Sequence, residues 1–323
     1  MKNYDLYVGI DVSSKTLDVV TSTGEYKQLS NDQKGFKELK KMLTPCSLVV
    51  MEATGVYHYS LALFLHKAKI SVCVENGLRI KRFVEMDIKA NKNDKADAQK
   101  ICQYAMTQQV TLWQPAPEYI QQSEVIYQNI LLFKKGLVQF KNRFHATERQ
   151  ENVPKIILKE LKKKIKEHQD ALKKLEAELE KIMLPHVKEN IARLTSIPGV
   201  GKKTAIYVLL LTENFQKFPE AKHLISFVGL APIEKRSGSS IRGRSSISKR
   251  GNPVLRNLLF MCSFNACKNN RKCKELYERL VAKGKSKKLA LIAVGNKLIK
   301  QMFGLVKNEL MYDEMHVSQH APS

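Results

Sequence analysis

A regular succession of short apolar segments and amphipathic segments over residues 5–75 is the feature that most constrains the fold of this chain. Three strand-like segments come first, separated by Ser-Ser-Lys and Gly-Glu, as in an antiparallel meander. Segments with helical periodicity then alternate with two further strands. In chain order we predict strands at 4–12, 17–22 and 26–30, a helix at 32–43, a strand at 48–52, a helix at 56–67 and a strand at 70–75. This region is therefore predicted to form an α/β domain.

Four carboxylates occupy matching places in this pattern. Asp11 and Glu52 close apolar strands, and a polar residue that ends a buried parallel strand faces the crevice beyond the strand's carboxyl end. Asp94 and Asp97 are three positions apart on a further predicted helix, so they share one face of that helix. The order of strands and helices is that of an RNase H-like fold, in which these four acids would meet at one point.

Four carboxylates at one point repel one another strongly unless divalent cations lie between them. The sequence therefore predicts metal-assisted chemistry on phosphates. Each acid by itself also fits a structural role, since an Asp that follows a strand is common in turns. Asp94 suits the N-cap of a helix and Asp97 its first turn. The functional interpretation depends on the four acids occurring together in this order.

A large excess of basic residues points to a polyanionic partner. The chain has 55 Lys and Arg residues against 31 Asp and Glu residues, which gives a formal charge of +24 over 323 residues. Nucleic acid is the commonest partner of such a chain, and weak binding to any polyanion is the alternative. The length predicts two domains and a connector.

The sequence indicates neither a membrane protein nor a secreted one. No stretch approaches the roughly 18 apolar residues of a membrane span, and the longest candidate is 205–211. The start of the chain lacks the charged and apolar regions of a secretory signal. The six cysteines form no CxxC pair, so we expect reduced thiols in the cytosol.

Residues 119–190 change to a heptad pattern. One predicted helix covers about 123–150, and a second helix follows a break near Pro154. The apolar seam of the second helix alternates in steps of three and four and contains Leu158, Leu161, Ile165, His168, Leu172, Leu175, Leu179 and Ile182. We predict an antiparallel coiled-coil hairpin, which serves as a spacer, an oligomerisation arm or a basic grip on nucleic acid.

The remaining third of the chain contains two candidate phosphate-binding elements. The first, Ile197-Pro198-Gly199-Val200-Gly201, resembles the turn of a helix-hairpin-helix element, whose backbone amides hold a phosphate. It is not a P-loop, because the required spacing of glycines before Lys202 is absent. The second is a loop at 235–252, rich in Ser, Gly and Arg. Predicted nucleic-acid contacts are Lys202, Lys203, Lys235, Arg236, Arg242, Arg244, Lys249, Arg250 and Arg256.

The loop has two interpretations. Its composition is typical of a disordered basic linker or a tract that contacts RNA. It also suits a serine nucleophile among guanidinium groups that bind the scissile phosphate and stabilise the charge of the transition state. Composition alone leaves both interpretations open.

Six motifs together resemble a known family over about residues 5–300. They are Ile10–Ser13, Glu52–Tyr57, Lys92–Ala98, Ile197–Gly201, Gly229–Pro232 and Ile247–Arg256. In order and spacing they are similar to the DEDD-type insertion-sequence transposases, whose relatives include the pilin-gene invertases. All four acids of the family pattern are present.

The resemblance implies a function. Family members combine a RuvC-like DEDD domain, a coiled coil and a C-terminal transposase domain with a nucleophilic serine. They cut and rejoin donor and target DNA as serine recombinases, guided by a structured bridge RNA from the element itself. By this resemblance Asp11, Glu52, Asp94 and Asp97 bind Mg²⁺, with Mn²⁺ as a possible substitute. It also implies a dimer or tetramer held by the coiled coil, without a membrane partner, in the bacterial cytosol near the nucleoid.

The family's serine stands about ten positions before the Ile-Ser-Lys segment, and Ser237 is ten positions before Ile247. We therefore predict Ser237 as the nucleophile, with Ser239 and Ser240 as the next candidates, while Ser248 is expected to cap the helix that starts near Asn252. The predicted domains are 1–118 (RuvC-like), 119–190 (coiled coil), 191–312 (transposase) and 313–323 (flexible tail).

Three alternatives remain open on the sequence. The first is a structure-selective endonuclease of the Holliday-junction type, which would use the acids and water without a serine. The second is a site-specific DNA invertase, for which the natural outcome is inversion. The third is a non-enzymatic RNA-binding protein with a degenerate nuclease domain, although the presence of all four acids argues against it.

Overall fold

The computed structural model describes residues 4–53, 55–84, 94–233, 236–237, 241–242, 246–248 and 250–315, and for 84, 94, 233, 236–237, 241–242 and 246 it describes the backbone only. The chain divides into two compact units, Met1–Pro115 and Ala116–Ser323. The predicted division into 1–118, 119–190, 191–312 and 313–323 stays a prediction.

The first unit contains a five-stranded mixed sheet with the strand order β3-β2-β1-β4-β5. The first three strands form the predicted antiparallel meander, and β4 and β5 continue the sheet in parallel with β1. The strands are β1 Leu6–Val12, β2 Thr16–Thr21, β3 Tyr26–Ser30, β4 Ser47–Glu52 and β5 Ser71–Glu75. This sheet confirms the predicted α/β class and is compatible with an RNase H-like domain.

Four helices accompany the sheet: α1 Gln33–Met42, α2 Tyr59–Lys67, α3 Gly77–Val84 and α4 Asp94–Thr107. The side chain of Asp32 caps α1 by accepting hydrogen bonds from the backbone N–H groups of Lys34 and Gly35. Helix α2 begins three residues later than predicted, because Gly55 has a left-handed φ of +51° and Val56 remains exposed in the turn before the helix. Helix α3 was absent from the sequence prediction.

The two faces of the sheet carry different cores. Val8, Ile10 and Val12 of β1 pack with buried residues of α1 and α2 on one face. On the other face Leu48 and Val50 pack with the apolar side of α4. Gly9 permits this close approach, since a Cβ at this position would lie 2.7 Å from the Cα of Cys102.

The second unit is mainly helical. Its helices are α5 Glu118–Glu148, α6 Lys155–Thr195, α7 Lys202–Leu211, α8 Ala221–Val228, α9 Pro253–Asn269, α10 Arg271–Ala282 and α11 Lys287–Lys307. Between α8 and α9, strand β6 Pro232–Ile233 pairs with β9 Ser246–Ile247, and β7 Arg236–Ser237 pairs with β8 Ile241–Arg242.

Helices α5 and α6 pack against each other in antiparallel orientation. The ring of Tyr119, near the start of α5, stacks on His186 in the last third of α6, with 4.1 Å between ring centroids. Further along, His168 contacts the rings of Phe133 and Phe140 at 5.4 and 5.0 Å. The chain reverses at residues 149–154, at the predicted break. The finer assignment of this hairpin as a coiled coil stays a prediction.

Helix α6 continues five residues beyond the predicted boundary at 190 and contains a kink. Val187 has non-helical angles (φ −135°, ψ 18°) two residues after Pro185. Proline lacks an N–H group and its ring clashes with the preceding turn, which accounts for the kink.

One helix among the described residues, α11, has the length and apolar composition of a membrane span. This differs from the sequence analysis, which found no stretch of that kind. Eight of its 21 residues are buried, at positions that recur along the helix and include Ala290, Val294, Leu298 and Met302. Val294, Leu298 and Met302 belong to the core of the second unit. Such burial is typical of a core helix.

Candidate active site

Carboxylates from four adjacent strands lie in one row across the sheet of the first unit. Asp11 of β1 is opposite Asp18 of β2, and Glu52 of β4 is opposite Glu75 of β5. Asp11 and Glu52 each follow directly on the paired residues Ile10 and Met51, so they are also neighbours. Side chains at paired positions of adjacent strands point to the same face. The row Asp18, Asp11, Glu52, Glu75 is therefore on one face of the sheet.

Helix α4 covers this face and runs antiparallel to β1. The Sγ atom of Cys102 donates to the carbonyl of Tyr7 at 3.5 Å, whereas Ala98, one turn earlier in α4, lies against Gly9. Each turn towards the start of α4 is therefore a step towards the carboxyl end of β1. The first turn of α4 consequently lies at the end of the sheet where Asp11 is located.

This first turn contains the other two predicted acids. Asp94 is the first residue of α4, and its side chain lies outside the described part of the structure. The carboxylate of Asp97 is 38% exposed and its Oδ1 atom is 3.6 Å from Nζ of Lys100. Lys95 lies close to the same row, because its Nζ is 5.0 Å from the ring centroid of Tyr26, whose hydroxyl donates to Asp18. The backbone thus places Asp94 and Asp97 at the end of the sheet that carries Asp11.

The position of the Glu52 carboxylate depends on the absence of a side chain at Gly77. A Cβ on Gly77, the first residue of α3, would lie 2.9 Å from Cδ of Glu52 and closer still to its Oε1. The carboxylate of Glu52 therefore occupies space that any side chain at position 77 would fill. Sequence analysis missed Gly77, since neither this contact nor helix α3 was predicted.

Asp18 and Glu75, at the two ends of the row, were also missed by the sequence analysis. Both are buried, with 2% and 7% exposure. Asp18 accepts hydrogen bonds on Oδ1 from the hydroxyl of Tyr26 at 2.7 Å and from Nε2 of Gln28 at 3.1 Å. A sequence signal did exist, because Glu75 closes its strand as Glu52 does and Asp18 interrupts an apolar strand.

Glu75 has a complete set of partners. Its Oε2 accepts from the hydroxyl of Tyr104 at 2.9 Å and from Nη1 of Arg79 at 3.1 Å, while Oε1 accepts from the N–H of Asn76 at 2.9 Å. Burial raises the pKa of Tyr104 to about 12, and the hydrogen bond to Glu75 adds to this effect. The charge of Glu75 raises the pKa of Arg79, which stays protonated. The charge of Glu75 is therefore paired with Arg79 within the protein.

The predicted nucleophile lies in the second unit. Ser237 is the last residue of β7 and pairs with Ile241, while Arg236 pairs with Arg242 across the same two strands. The backbone thus sets Arg236 and Arg242 at facing positions next to Ser237. The other serine candidates and three predicted cations lie outside the described residues: Ser239, Ser240, Lys235, Arg244 and Lys249.

The expectation that Ser248 caps a helix is wrong. Asn252 directly precedes α9, and its Oδ1 accepts from the N–H groups of Val254 and Leu255, both at 3.0 Å. Ser248 is four residues before this cap, and its hydroxyl donates to the carbonyl of Arg250 at 3.4 Å. Asparagine is as good an N-cap as serine, and here it occupies the position next to Pro253.

The other predicted cations differ in their partners. Lys202 forms an ion pair with Glu180, and Lys203 forms one with Glu176, so both are tied to α6. The turn before them packs against α9, since a Cβ at Gly199 would lie 2.7 Å from the backbone nitrogen of Ala266. The predicted phosphate contacts of these lysines stay a prediction.

Two family models match the chain. One, described as a transposase of the DEDD type found in IS110, covers residues 8–151, and one described as the transposase IS116/IS110/IS902 family covers 191–278. The pilin gene-inverting protein of Moraxella bovis is 28% identical over 95% of this chain and 98% of its own length. The transposase of insertion sequence element IS1111A from Coxiella burnetii is 25% identical over 82% of this chain and 79% of its own. This chain belongs to the IS110 family of transposases.

Membership of the IS110 family makes the chain an enzyme of the DNA transposase and recombinase class. A third relative, an IS110 protein of Streptomyces coelicolor, is 32% identical over 43% of this chain, and the aligned part covers 34% of its own length. The first family model covers the sheet that carries the acids and continues through α5 into the second unit, and the second covers helices α7–α9 and the loop at 235–252, called the serine loop below.

The DEDD type of the IS110 family suggests that a divalent metal is used. Among the described residues no group of three or more His, Cys, Asp or Glu side chains is close enough to hold an ion. The neighbouring positions of Asp11 and Glu52 nevertheless fit such an ion, because carboxylate oxygens are the ligands that Mg²⁺ prefers.

Proposed function

We propose that this chain cuts and rejoins the DNA of a mobile insertion sequence through a covalent bond between DNA and Ser237. The observation that carries this proposal is the pairing of Arg236 with Arg242 beside Ser237 on a two-stranded element. A serine next in the chain to one of two paired arginines places a nucleophile beside residues whose guanidinium groups suit binding of the phosphate that it attacks. Hydrolysis by water at the acids alone would require neither Ser237 nor the two arginines.

The proposed reaction is a transesterification. The Oγ atom of Ser237 forms a bond to the phosphorus while the bond from phosphorus to the leaving 3′ oxygen breaks. The serine hydroxyl gives up its proton, and the departing 3′ oxygen takes up a proton. Arg236 and Arg242 would stabilise the negative charge that develops on the phosphoryl oxygens. Because the phosphoserine bond keeps the energy of the DNA bond, a 3′ hydroxyl can attack it and rejoin the strand.

The acids have a separate task in this proposal. Asp11, Glu52, Asp94 and Asp97 would hold Mg²⁺, or Mn²⁺ in its place, at the end of the sheet where the row and the first turn of α4 lie. When bound, the ions would polarise the phosphoryl oxygens and lower the barrier to attack. Glu75, which is paired with Arg79 and accepts a hydrogen bond from Tyr104, would stay outside this set.

We further infer that a structured bridge RNA selects the donor and target DNA. The proposal rests on the family resemblance and on the formal charge of +24, which suits a chain that binds two nucleic acids at once. The test is to compare target cleavage with the cognate RNA, with an RNA of scrambled guide loops, and without RNA. Equal cleavage in all three mixtures would contradict RNA guidance.

The serine step is tested by trapping the covalent intermediate. DNA labelled at its 3′ end and incubated with protein, Mg²⁺ and RNA should yield a labelled band at the size of the protein plus the attached DNA strand after denaturing electrophoresis. We expect Ser237→Ala to abolish this band and Ser245→Ala, a matched serine of the same loop, to retain it. If Ser237→Ala still cleaves DNA and no adduct forms with the wild-type protein, the chain is a structure-selective endonuclease that uses water.

A second candidate outcome is site-specific inversion. The relatives from Moraxella bovis and Moraxella lacunata are both named pilin gene-inverting proteins, and each aligns over 95% of this chain. A plasmid with the two candidate sites in inverted orientation would distinguish inversion from excision and insertion by its restriction pattern. Inversion without any insertion into a second plasmid would favour an invertase over a mobile-element transposase.

A further inference from the structure

A cavity of about 310 Å³ lies between helices α9 and α11. Its walls include the apolar side chains of Leu230, Phe260 and Leu291, and its polar lining includes Arg256 and Lys288. This volume is at the lower end of the range for cavities that bind small ligands. An apolar interior beside two cations suits a planar, weakly polar ring that carries an anionic group.

The cations of the cavity are available to a ligand. Within the described part of the chain, neither Arg256 nor Lys288 has a carboxylate partner, in contrast to Lys202 and Lys203 with their glutamates on α6. Arg256 is fixed at the wall by a hydrogen bond from Nη1 to the carbonyl of Val228 at 2.8 Å. An arginine has five N–H donors, so this bond orients the guanidinium group and leaves donors for an anion.

Two helix N-termini add to the positive potential. Pro253, which lines the cavity, is the first residue of α9, and Lys288 is the second residue of α11. The N-terminus of a long helix carries a partial positive charge and favours phosphate groups. The positive field therefore has two independent sources, the side-chain cations and the helix dipoles.

The interior offers a surface for stacking. Phe260 is half-buried, and its ring meets that of Phe264 edge to face, with 5.2 Å between centroids and an interplanar angle of 87°. This contact uses the edge of one ring and restrains the orientation of both. An aromatic face in a basic groove is the arrangement on which proteins stack single-stranded bases.

The cavity adjoins the serine loop. Ile247, one of its lining residues, belongs to β9, the strand in which the loop ends and which pairs with β6. A strand of DNA whose phosphate is held at the loop would therefore have its neighbouring nucleotides within reach of the cavity. Exchange of a strand between two DNA partners breaks base pairs beside the cut, and taking a base out of a duplex costs a few kcal/mol.

We propose that this cavity binds one unstacked DNA base next to the cut, with the base on Phe260 and its phosphate on Arg256 and Lys288. The proposal rests on the proposed function of the chain as a DNA recombinase, and it names the site that holds a base during exchange. Holding that base apart from its old partner would keep the strand ready for rejoining.

The base contact is tested with the full-length protein and fluorescent oligonucleotides of the cleavage-site sequence. We compare Phe260→Leu, which keeps an apolar side chain but loses the aromatic face, with Met261→Leu, an exposed apolar side chain at the next position of the same helix that does not line the cavity. Phe260→Leu should weaken binding of single-stranded DNA by roughly 5- to 150-fold, the range for one lost stack. The affinity of Phe260→Leu for fully paired duplex, and the binding of single-stranded DNA by Met261→Leu, should stay within twofold of wild type.

The phosphate contact is tested by the salt dependence of the same binding. Lys288→Gln should reduce the slope of log affinity against log salt by roughly 0.7, the value for one phosphate contact on a single strand. Lys287→Gln is the matched control, because Lys287 is the adjacent residue and does not line the cavity. Equal slopes for the two variants would overturn the phosphate contact.

The outcomes separate this proposal from the proposed function. If the wild-type protein binds no DNA, the recombinase function itself fails. If the wild type binds single-stranded DNA and Phe260→Leu binds it equally well, the cavity proposal is overturned while the function stands. If the loss appears with an RNA oligonucleotide of the same sequence and not with DNA, the assignment to a DNA base is overturned.

Discussion

At the scale of single residues, Gly77 decides where the carboxylate of Glu52 lies. A methyl group at position 77 would overlap Oε1 of Glu52, and the mobile end of this side chain would move rather than the backbone. We therefore expect Gly77→Ala to fold normally but to lose roughly 100-fold in Mg²⁺-dependent cleavage, since a displacement of about 1 Å has such an effect. Cleavage rates at several Mg²⁺ concentrations, together with thermal unfolding, measure both effects.

The control for this substitution is Gly304→Ala. Gly304 is on α11, and a Cβ there would meet no atom within 4 Å, so cleavage should be unchanged. Normal cleavage by Gly77→Ala would show that the position of Glu52 does not matter for the reaction. A folded variant whose activity returns at high Mg²⁺ would support the geometric explanation.

Tyr104 makes the stability of the first unit depend on pH. Its pKa is raised to about 12 in the folded state by burial and by the bond to Glu75, whereas an unfolded tyrosine titrates near 10. The folded state thus holds this proton more tightly. The resulting stabilisation is fully present below pH 10 and is lost as the pH rises through 12.

The measurement is urea unfolding of the wild type and Tyr104→Phe at pH 8 to 12. Near pH 8 the variant should be less stable by roughly 1.5 to 3 kcal/mol, the contribution of a hydrogen bond to a charged group. The difference between the two proteins should shrink above pH 10, because only the wild type has this group to titrate. A difference that stays constant up to pH 12 would contradict the role of Tyr104.

At the scale of elements, helices α5 and α6 pack closely where Gly136 of α5 faces the ring of His168 of α6. A Cβ at Gly136 would lie 2.7 Å from Nε2 of His168, whose ring packs with Phe133 and Phe140. Alanine has a higher helix propensity than glycine. We nevertheless expect Gly136→Ala to destabilise the protein by roughly 1 to 3 kcal/mol through overpacking. Urea unfolding measures the change.

A double-mutant cycle supplies the control for the hairpin. In the background of His168→Ala the same Gly136→Ala substitution has room, so it should be neutral or stabilising. If Gly136→Ala has the same effect in both backgrounds, the two residues do not pack against each other as the structure indicates.

Elements were predictable where local pattern and burial agree. The predicted strand at 26–30 matches β3, and the predicted strand at 48–52 differs from β4 by one residue. Both segments have a strand-like pattern that ends at turn residues. The start of α2 and the existence of α3 were not predictable in this way. Gly55 adopts a left-handed turn, and Gly77 leaves room for the side chain of Glu52. Both features arise only when the sheet has formed.

The same distinction applies to the candidate site. Asp11 and Glu52 follow from strand ends, and the sheet register makes them neighbours. Asp18 and Glu75 join the row only through the pairing of β1 with β2 and of β4 with β5, which a single sequence does not specify. The cavity beside the serine loop depends on the packing of α9 and α11, which are separated by α10 in the chain.

At the scale of the whole molecule, the acids and the predicted nucleophile lie in different compact units. If the chain forms the dimer or tetramer expected from its helical hairpin, one active site can combine the acids of one subunit with Ser237 of another. We predict that an Asp11→Ala chain and a Ser237→Ala chain, each inactive alone, complement each other when mixed. Random mixing makes half of the dimers mixed, and each mixed dimer has one intact site of its two. Roughly a quarter of wild-type activity should therefore return.

The adduct assay identifies which chain acts. With a size tag on the Asp11→Ala chain, labelled DNA should become attached to the tagged chain, because that chain carries the intact Ser237. Mixing Asp11→Ala with Glu52→Ala is the control, since in each mixed dimer both sets of acids are then defective and activity should stay absent. If the first mixture is also inactive although mixed dimers form, each site is built within one subunit, and the two units of a single chain must meet on the same phosphate.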